Sequence, residues 1–213
     1  MKISFAKTGG WREKMRLAFM LRFGAKADFL QEEDAVADPL DKRFFGDYAY
    51  VGALTKETFG NGTEVGLRCS FEGSGAPMLM LTDDCILDQD GDAHYGGCVE
   101  VVIWKNGLNV WRHKLNETGE RVGYHQQMGV FTPLAEGKIH DLRVKVDGKM
   151  LLIDLNGMRY SVYVSDMPTQ FWVGAAVCEG VNRLYDLDIS ERQSFDDFMT
   201  WEDEDYSVNR VEC

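Results

Sequence analysis

The sequence predicts an all-β protein, an antiparallel β-sandwich or barrel with a short helix near each end. From Asp47 onward, apolar and polar residues alternate with a period of two, which is typical of strands that bury one face. The 213 residues also include 22 glycines and 12% aromatic residues, a combination that indicates many tight turns between strands. A chain of this length can bury a substantial core without metal or disulfide support.

The alternation begins clearly in the run from Val65 to Phe71, where apolar residues occupy the odd positions. Turn signals separate nearly all of the strand-like runs that follow, which lie at 78–82, 97–104, 108–113, 121–131, 139–146, 149–155, 158–164, 170–178 and 183–190. Short strands at this spacing predict a meander rather than a solenoid.

The net charge of −12 argues against nucleic acid or an anionic membrane as the main partner. The longest clean apolar run, 171–178, is too short to span a bilayer, and the first residues lack a signal-peptide pattern. The five cysteines form no CxxC pair, which argues against a structural zinc site. Cys69, Cys98 and Cys178 lie in apolar runs. We therefore expect a cytoplasmic protein with free thiols.

Charge is distributed unevenly along the chain. Residues 1–26 hold seven basic residues and one acid, and the apolar spacing from Trp11 to Phe23 predicts a helix. We expect residues 1–44 to form this basic helix and a lead-in, 45–191 to form the β domain, and 192–213 to form an acidic, partly helical segment packed on that domain. The opposite charges predict contact between the two ends, within one chain or across a homodimer.

Three dipeptides favour two-residue type I′ turns, namely Asn106-Gly107, Asp147-Gly148 and Asn156-Gly157. A two-residue turn fixes which residues face each other across a hairpin. The predicted pairs are Glu100 with His113, Val102 with Trp111 and Trp104 with Asn109, then Val144 with Leu151 and Leu142 with Ile153, then Ile153 with Tyr160, Leu151 with Val162 and Asp154 with Arg159.

The first of these hairpins has two different faces. The predicted core face is wholly apolar and carries Val99, Val101, Ile103, Leu108 and Val110. The other face is mixed and carries Glu100, Val102, Trp104, Asn109, Trp111 and His113. Indoles beside hydrogen-bonding groups suit sugar rings, which have an apolar C–H face and a rim of hydroxyls. The alternative is that a terminal helix covers this face and packs on both tryptophans.

The order of strands resembles the concanavalin A-like lectin/glucanase superfamily over roughly residues 45–191. Two segments carry the resemblance: the run from Tyr95 through Glu100 to Gly107, and the run from Phe171 through Glu179 to Asp186. The resemblance implies a jelly-roll sandwich whose concave sheet holds a carbohydrate. Laminarinase-type members carry several alternating acids on one strand. Here Glu100 is the only acid of its strand-like run, so a paired-carboxylate site needs a second acid, for which Glu179 is the candidate.

Other candidate site residues lie in loops or at strand ends. Asn182 and Arg183 follow Glu179, and Arg183 either clamps an acidic sugar or pairs with Glu179 or Asp186 to stabilise a turn. The acids with calcium-loop spacing are Asp88, Asp90 and Asp92. Ala93 and Val99 stand where an EF-hand has glycine and glutamate, so the loop is either a non-EF-hand calcium site or solvated. We expect no cofactor, and calcium in this loop is the one alternative.

Three functions follow from these observations. The first is a non-catalytic carbohydrate-binding domain that uses Trp104, Asn109 and Trp111, with Asn182 and Arg183 contributing. The second is a glycoside hydrolase or polysaccharide lyase that uses Glu100, His113 and Glu179 as acid–base groups. The third is a protein-interaction module that uses the charged termini.

Overall fold

A computed structural model gives the structure of the chain and describes residues 2–4, 18–23, 27–31, 34–37, 50–83, 86–87, 93–94, 97–115, 121–178 and 181–191. Every regular element within these ranges is a strand. The first nine are β1 (Lys2–Ser4), β2 (Ala18–Phe23), β3 (Ala27–Gln31), β4 (Asp34–Ala37), β5 (Tyr50–Gly60), β6 (Thr63–Glu72), β7 (Ala76–Thr82), β8 (Ile86–Leu87) and β9 (Ala93–His94). The others are β10 (Cys98–Trp104), β11 (Gly107–Leu115), β12 (Arg121–Phe131), β13 (His140–Asp147), β14 (Met150–Leu155), β15 (Met158–Tyr163), β16 (Gln170–Cys178) and β17 (Val181–Glu191).

The strands form two sheets. Sheet A has the order β15-β14-β13-β6-β17-β4-β3, with β1 also paired to β17, and sheet B has the order β12-β11-β10-β7-β16-β5-β2-β9-β8. Among the described strands, only the β2–β9 pairing is parallel. Consecutive strands β6 and β7 lie in opposite sheets, each between strands from distant parts of the chain. This arrangement is that of a jelly-roll sandwich, as predicted.

The core lies between the two sheets and consists of the apolar residues that alternate inward. Sheet A contributes Val65, Leu67, Phe71, Val144 and Ile153 among others, and sheet B contributes Leu79, Leu81, Val99, Val101, Ile103, Val110 and Phe171 among others. The predicted core face of the 98–113 hairpin is therefore confirmed. Inward alternation with period two is what buries one side of each strand.

The N-terminal helix prediction is wrong over residues 18–23, which form β2 and pair antiparallel with β5. A short apolar run fits a helix or a strand equally well by periodicity. Here the open edge of β5 offers unpaired backbone groups, and pairing with them selects the strand. Residues 11–17 and the acidic segment 192–213, with its predicted contact to the N-terminus, lie outside the described residues.

The hairpin at Asn156-Gly157 has the predicted register, with Ile153 opposite Tyr160. Both turn residues have positive φ, 54° for Asn156 and 84° for Gly157, as a type I′ turn requires. The predicted pair of Asp154 and Arg159 is confirmed by a separation of 3.3 Å between Oδ2 and Nε.

The register predicted for the second hairpin is wrong. The turn comprises Gly148 and Lys149, so that Val144 faces Ile153 and Val146 faces Leu151. Gly148 has a φ of 58° and stands at the first central position, where glycine favours a type II′ turn. The turn therefore forms one residue later than predicted, and the same faces remain buried because each strand keeps its alternation.

Within the described residues, no helix is long and apolar enough to cross a membrane.

Candidate functional site

The mixed face of β10 and β11 lies on the outer side of sheet B, away from the core. Its register differs from the prediction, because the turn comprises Lys105 and Asn106 and not Asn106-Gly107. Gly107 accounts for the position of this turn. The chain passes so close to the carbonyl oxygen of Val130 at this residue that a Cβ atom would collide with it. The backbone amides of Thr132 and Leu134 also bond to the carbonyls of Asn106 and Lys105, at 3.0 Å each.

The changed register brings different residues face to face. Glu100 lies opposite Trp111, Val102 opposite Asn109, and Cys98 opposite His113. The shift moves each partner by two positions, so the set of residues on this face is the predicted one. Glu100 and His113 still meet, but diagonally.

The part of this face that lies farthest from the turn is buried. Cys98 and His113 are 0% exposed and Glu100 is 2% exposed. The Glu100 Oε2 atom lies 3.0 Å from the His113 Nε2 atom, and the Cys98 thiol donates to Glu100 Oε1 at 3.8 Å. The predicted direct pairing of Glu100 with His113 is therefore wrong, but the two side chains are in contact and form a buried cluster with the Cys98 thiol.

The adjoining part of the face is half-buried and accessible. Trp104, Asn109 and Trp111 are each partly exposed, and the exposed Gln126 amide donates to Asn109 Oδ1 at 3.2 Å. Gly129 stands opposite Asn109 on β12, and a side chain there would occupy the space that the Gln126 amide fills. Two indoles thus flank a pair of amides. We call these four residues the indole–amide strip.

Three further residues lie on the same face and were not predicted from the sequence. Trp172 alternates with the core residues of β16 and pairs with Thr82, which places a third indole on the outer side of sheet B. Met78 and Met80 alternate with the core residues Leu79 and Leu81, yet they are 2% and 0% exposed. The alternation around Trp172 was visible in the sequence. The burial of both faces of β7 was not, because a continuous apolar run has no period-two signal.

The other predicted site residues lie elsewhere or outside the described ranges. Asn182 and Arg183 belong to β17 in sheet A, where Asn182 is buried and Arg183 binds the Glu72 carboxylate at 2.7 Å. The structure therefore does not bring them together with the indole–amide strip. Glu179 lies outside the described residues, as do the predicted calcium ligands Asp88, Asp90 and Asp92.

Arg112 forms a separate ionic cluster beside the buried part of the face. Its guanidinium binds Asp83 Oδ2 at 2.8 Å and Asp166 Oδ2 at 3.2 Å, and Lys114 Nζ lies 3.0 Å from the same Asp166 oxygen. Burial raises the pKa of Asp166, but the hydrogen bond from Lys114 and the charges of Arg112 and Lys114 outweigh it, so this pKa lies below its ordinary value. The cluster fixes the end of β11 that carries His113.

A cavity of about 280 Å³ lies on the outer face of sheet A, and Glu64, Arg68, Asp141, Arg143 and Asp188 are among its lining residues. Its charges neutralise one another in part, since Arg68 lies 3.4 Å from both Asp141 and Asp186. The cavity is lined by no indole among the described residues. The indole–amide strip on sheet B is the better candidate for a ligand site.

No sequence model of a known protein family matches the chain, and no curated protein matches it. Solved structures do match by shape. The carbohydrate-binding module CBM66 from Bacillus subtilis has 12% identity and a TM-score of 0.57, covering 82% of this chain and 96% of that one. A Bacillus subtilis protein of unknown function with a galectin-like fold has 14% identity and a TM-score of 0.58, covering 90% and 98%. A family 16 endo-glucanase from Bacteroides ovatus has 10% identity and a TM-score of 0.53, covering 89% and 99%.

These likenesses define the class of fold. The two sheets form a jelly-roll sandwich with the fold of these structures, which is the fold that the resemblance implied. At such low identity the comparison concerns the fold alone, and function depends on the residues of the site.

Proposed function

We propose that this chain binds a glycan on the outer face of sheet B. The observation that carries the proposal is the indole–amide strip, in which two half-buried indoles flank Asn109 and Gln126. An indole ring offers an apolar face to the C–H groups of a sugar, and amides beside it bond to the hydroxyls. The similarity to sugar-binding and sugar-cleaving proteins of the same fold supports this choice.

The spacing of the two indoles favours an oligosaccharide. Trp111 on β11 lies opposite Glu100 on β10. Trp104 lies on β10 as well, four residues beyond Glu100. At a rise of about 3.3 Å per residue, the two tryptophans are separated by roughly 13 Å along the strand direction. That distance exceeds the length of one sugar ring, so the indoles would contact different sugars of one chain.

Binding without cleavage is favoured over hydrolysis or lyase chemistry. Glycoside hydrolysis uses two carboxyl groups about 5–10 Å apart. Among the described residues of β10, Glu100 is the only acid, with Cys98 and Val102 at the neighbouring positions of its face. Glu100 and His113 are also buried at 2% and 0% exposure, whereas an acid–base group must reach its substrate. The pair with Glu179 remains a prediction.

The test is a glycan-array screen followed by titration of any hit, with and without calcium because of the predicted Asp88–Asp92 site. Trp111→Ala and Trp104→Ala should each weaken oligosaccharide binding at least tenfold while the protein stays folded. Tyr163→Ala is the matched control, since this exposed aromatic lies on sheet A and its loss should leave affinity unchanged. The proposal fails if no glycan binds, or if both tryptophan variants bind as the native protein does. New reducing ends or unsaturated products would establish the enzyme instead.

A further inference from the structure

Three side chains with metal-binding atoms converge beneath the outer face of sheet B. The Cys98 Sγ atom, a Glu100 carboxylate oxygen and a His113 ring nitrogen all lie within 4.8 Å of one another. Among the residues that the structure describes, this is the one group of three or more such side chains with that geometry. It does not overlap the indole–amide strip, and its chemistry differs.

Strand pairing holds the three donors in place. Cys98 and His113 are direct partners across the β10–β11 pair, and Glu100 follows Cys98 by two residues. All three therefore point to the same side of the sheet, and neighbouring Cβ atoms in such pairs lie about 4.5–5.5 Å apart. A site built on paired strands is rigid before any ligand arrives.

We propose that Cys98, Glu100 and His113 bind one zinc ion. Thiolate, imidazole and carboxylate together are zinc donors, whereas calcium and magnesium prefer sites made only of oxygen. Bond lengths of about 2.0–2.3 Å to a tetrahedral ion place its ligand atoms roughly 3.2–3.6 Å apart. In the structure, Glu100 Oε2 lies 3.0 Å from His113 Nε2, and Glu100 Oε1 lies 3.8 Å from Cys98 Sγ. One donor atom from each residue lies within 4.8 Å of the other two, so side-chain rotations can bring the three donors into that range.

The charges of the ligands would balance the charge of the ion. With zinc bound, a Cys98 thiolate and a Glu100 carboxylate would place two negative charges at positions that are 0% and 2% exposed. Buried charge must be compensated, and a divalent ion compensates both at once, with one proton released from the thiol. Three protein donors leave one tetrahedral position for a water molecule or a further ligand.

The competing arrangement is a metal-free cluster in which the protonated Cys98 thiol donates to Glu100, as the 3.8 Å contact allows. It predicts no zinc in the folded protein. Unfolding the chain and refolding it in excess zinc or in chelator distinguishes the two arrangements, because the buried donors are accessible in the unfolded chain. After gel filtration, we expect one zinc ion per chain in the first sample and a melting temperature that rises with zinc concentration.

Cobalt reports on the ligands, because a thiolate bound to Co²⁺ gives an intense charge-transfer band in the near ultraviolet. The refolded cobalt protein should show this band, Cys98→Ser should lose it, and Cys69→Ser should keep it. Cys69 is the matched control, a buried thiol on the core side of sheet A. A variant with Cys98 as its sole cysteine should also keep the band, and circular dichroism checks that each variant folds.

The proposal is overturned if native protein refolded in excess zinc retains far less than one ion per chain, or if the native cobalt protein lacks the band. It is also overturned if folded Cys98→Ser keeps the band. The native measurements decide the question even where a variant fails to fold. Glycan binding is measured separately with the tryptophan variants, so failure of one proposal is distinct from failure of the other.

Discussion

The carboxylate of Glu100 lies 3.0 Å from the Nε2 atom of His113, on neighbouring strands of one sheet, and both side chains are almost wholly buried. Because both side chains are buried away from water, the contact with the other compensates part of the cost of burying each one. Removing either one leaves its partner without the contact that compensates burial.

Glu100→Ala and His113→Ala should therefore each lower the free energy of unfolding by about 3 kcal/mol. The double variant Glu100→Leu/His113→Leu should lose clearly less than the sum, because no polar group is then left stranded. Urea unfolding in the presence of a chelator measures all three. The control is the surface pair of Arg68 and Asp141, whose side chains are 49% and 60% exposed and whose alanine variants should cost under about 1 kcal/mol. Strictly additive losses for Glu100 and His113 would contradict this account.

The stability contributed by Asp166 should disappear in acid. Its folded-state pKa is lowered, with the bonds from Lys114 and Arg112 outweighing burial. Such a group stabilises the fold above its unfolded pKa, which is about 4 for aspartate. The stabilisation is lost as the pH falls through the lower folded-state value. Native protein should therefore be more stable than Asp166→Asn at pH 6, and the gap should close in acid, at a pH below the lowered folded-state pKa.

Denaturant unfolding at both pH values measures this gap. Glu57→Gln is the matched control, because Glu57 is exposed on the surface and its neutralisation should change stability little at either pH. A gap between native protein and Asp166→Asn that persists unchanged into acid would refute the assignment.

Gly157→Ala should destabilise the protein by about 1 kcal/mol through backbone conformation alone. Gly157 has a φ of 84°, and an added Cβ would meet no atom within 4 Å. The comparison is Gly66→Ala, where φ is not in the positive region and the nearest atoms lie at 4.0 Å. There the alanine should be neutral or slightly stabilising, since it restricts the unfolded chain. Thermal unfolding of the two variants gives the difference, and equal effects would show that the turn conformation is not the cause.

Much of the fold could be predicted from the sequence, because the alternation of apolar and polar residues along a strand is a local pattern. The run 170–178 matches β16 to the residue, and the two faces of the 98–113 hairpin follow from alternation alone. The Asn156-Gly157 register was also predictable, since both residues tolerate positive φ. At Asn106-Gly107 and Asp147-Gly148, the same dipeptide pattern predicts a register that differs from the observed one. The position of the first turn depended on the packing of Gly107 against Val130. The position of the second depended on Gly148, the glycine at the first turn position.

The candidate zinc cluster shows what the sequence alone did not reveal. The cysteine spacings argue against zinc only for sites whose donors lie close together in the chain. Cys98 and His113 are 15 residues apart and become neighbours only through the β10–β11 register. The sequence by itself determined which residues share a face, since alternation along a strand is set by backbone geometry. Only the tertiary structure decided which of these residues meet across the strands. It also decided that Glu100 and His113 are buried while Trp104 and Trp111 stay accessible. Strand register and burial both depend on contacts between distant segments of the chain.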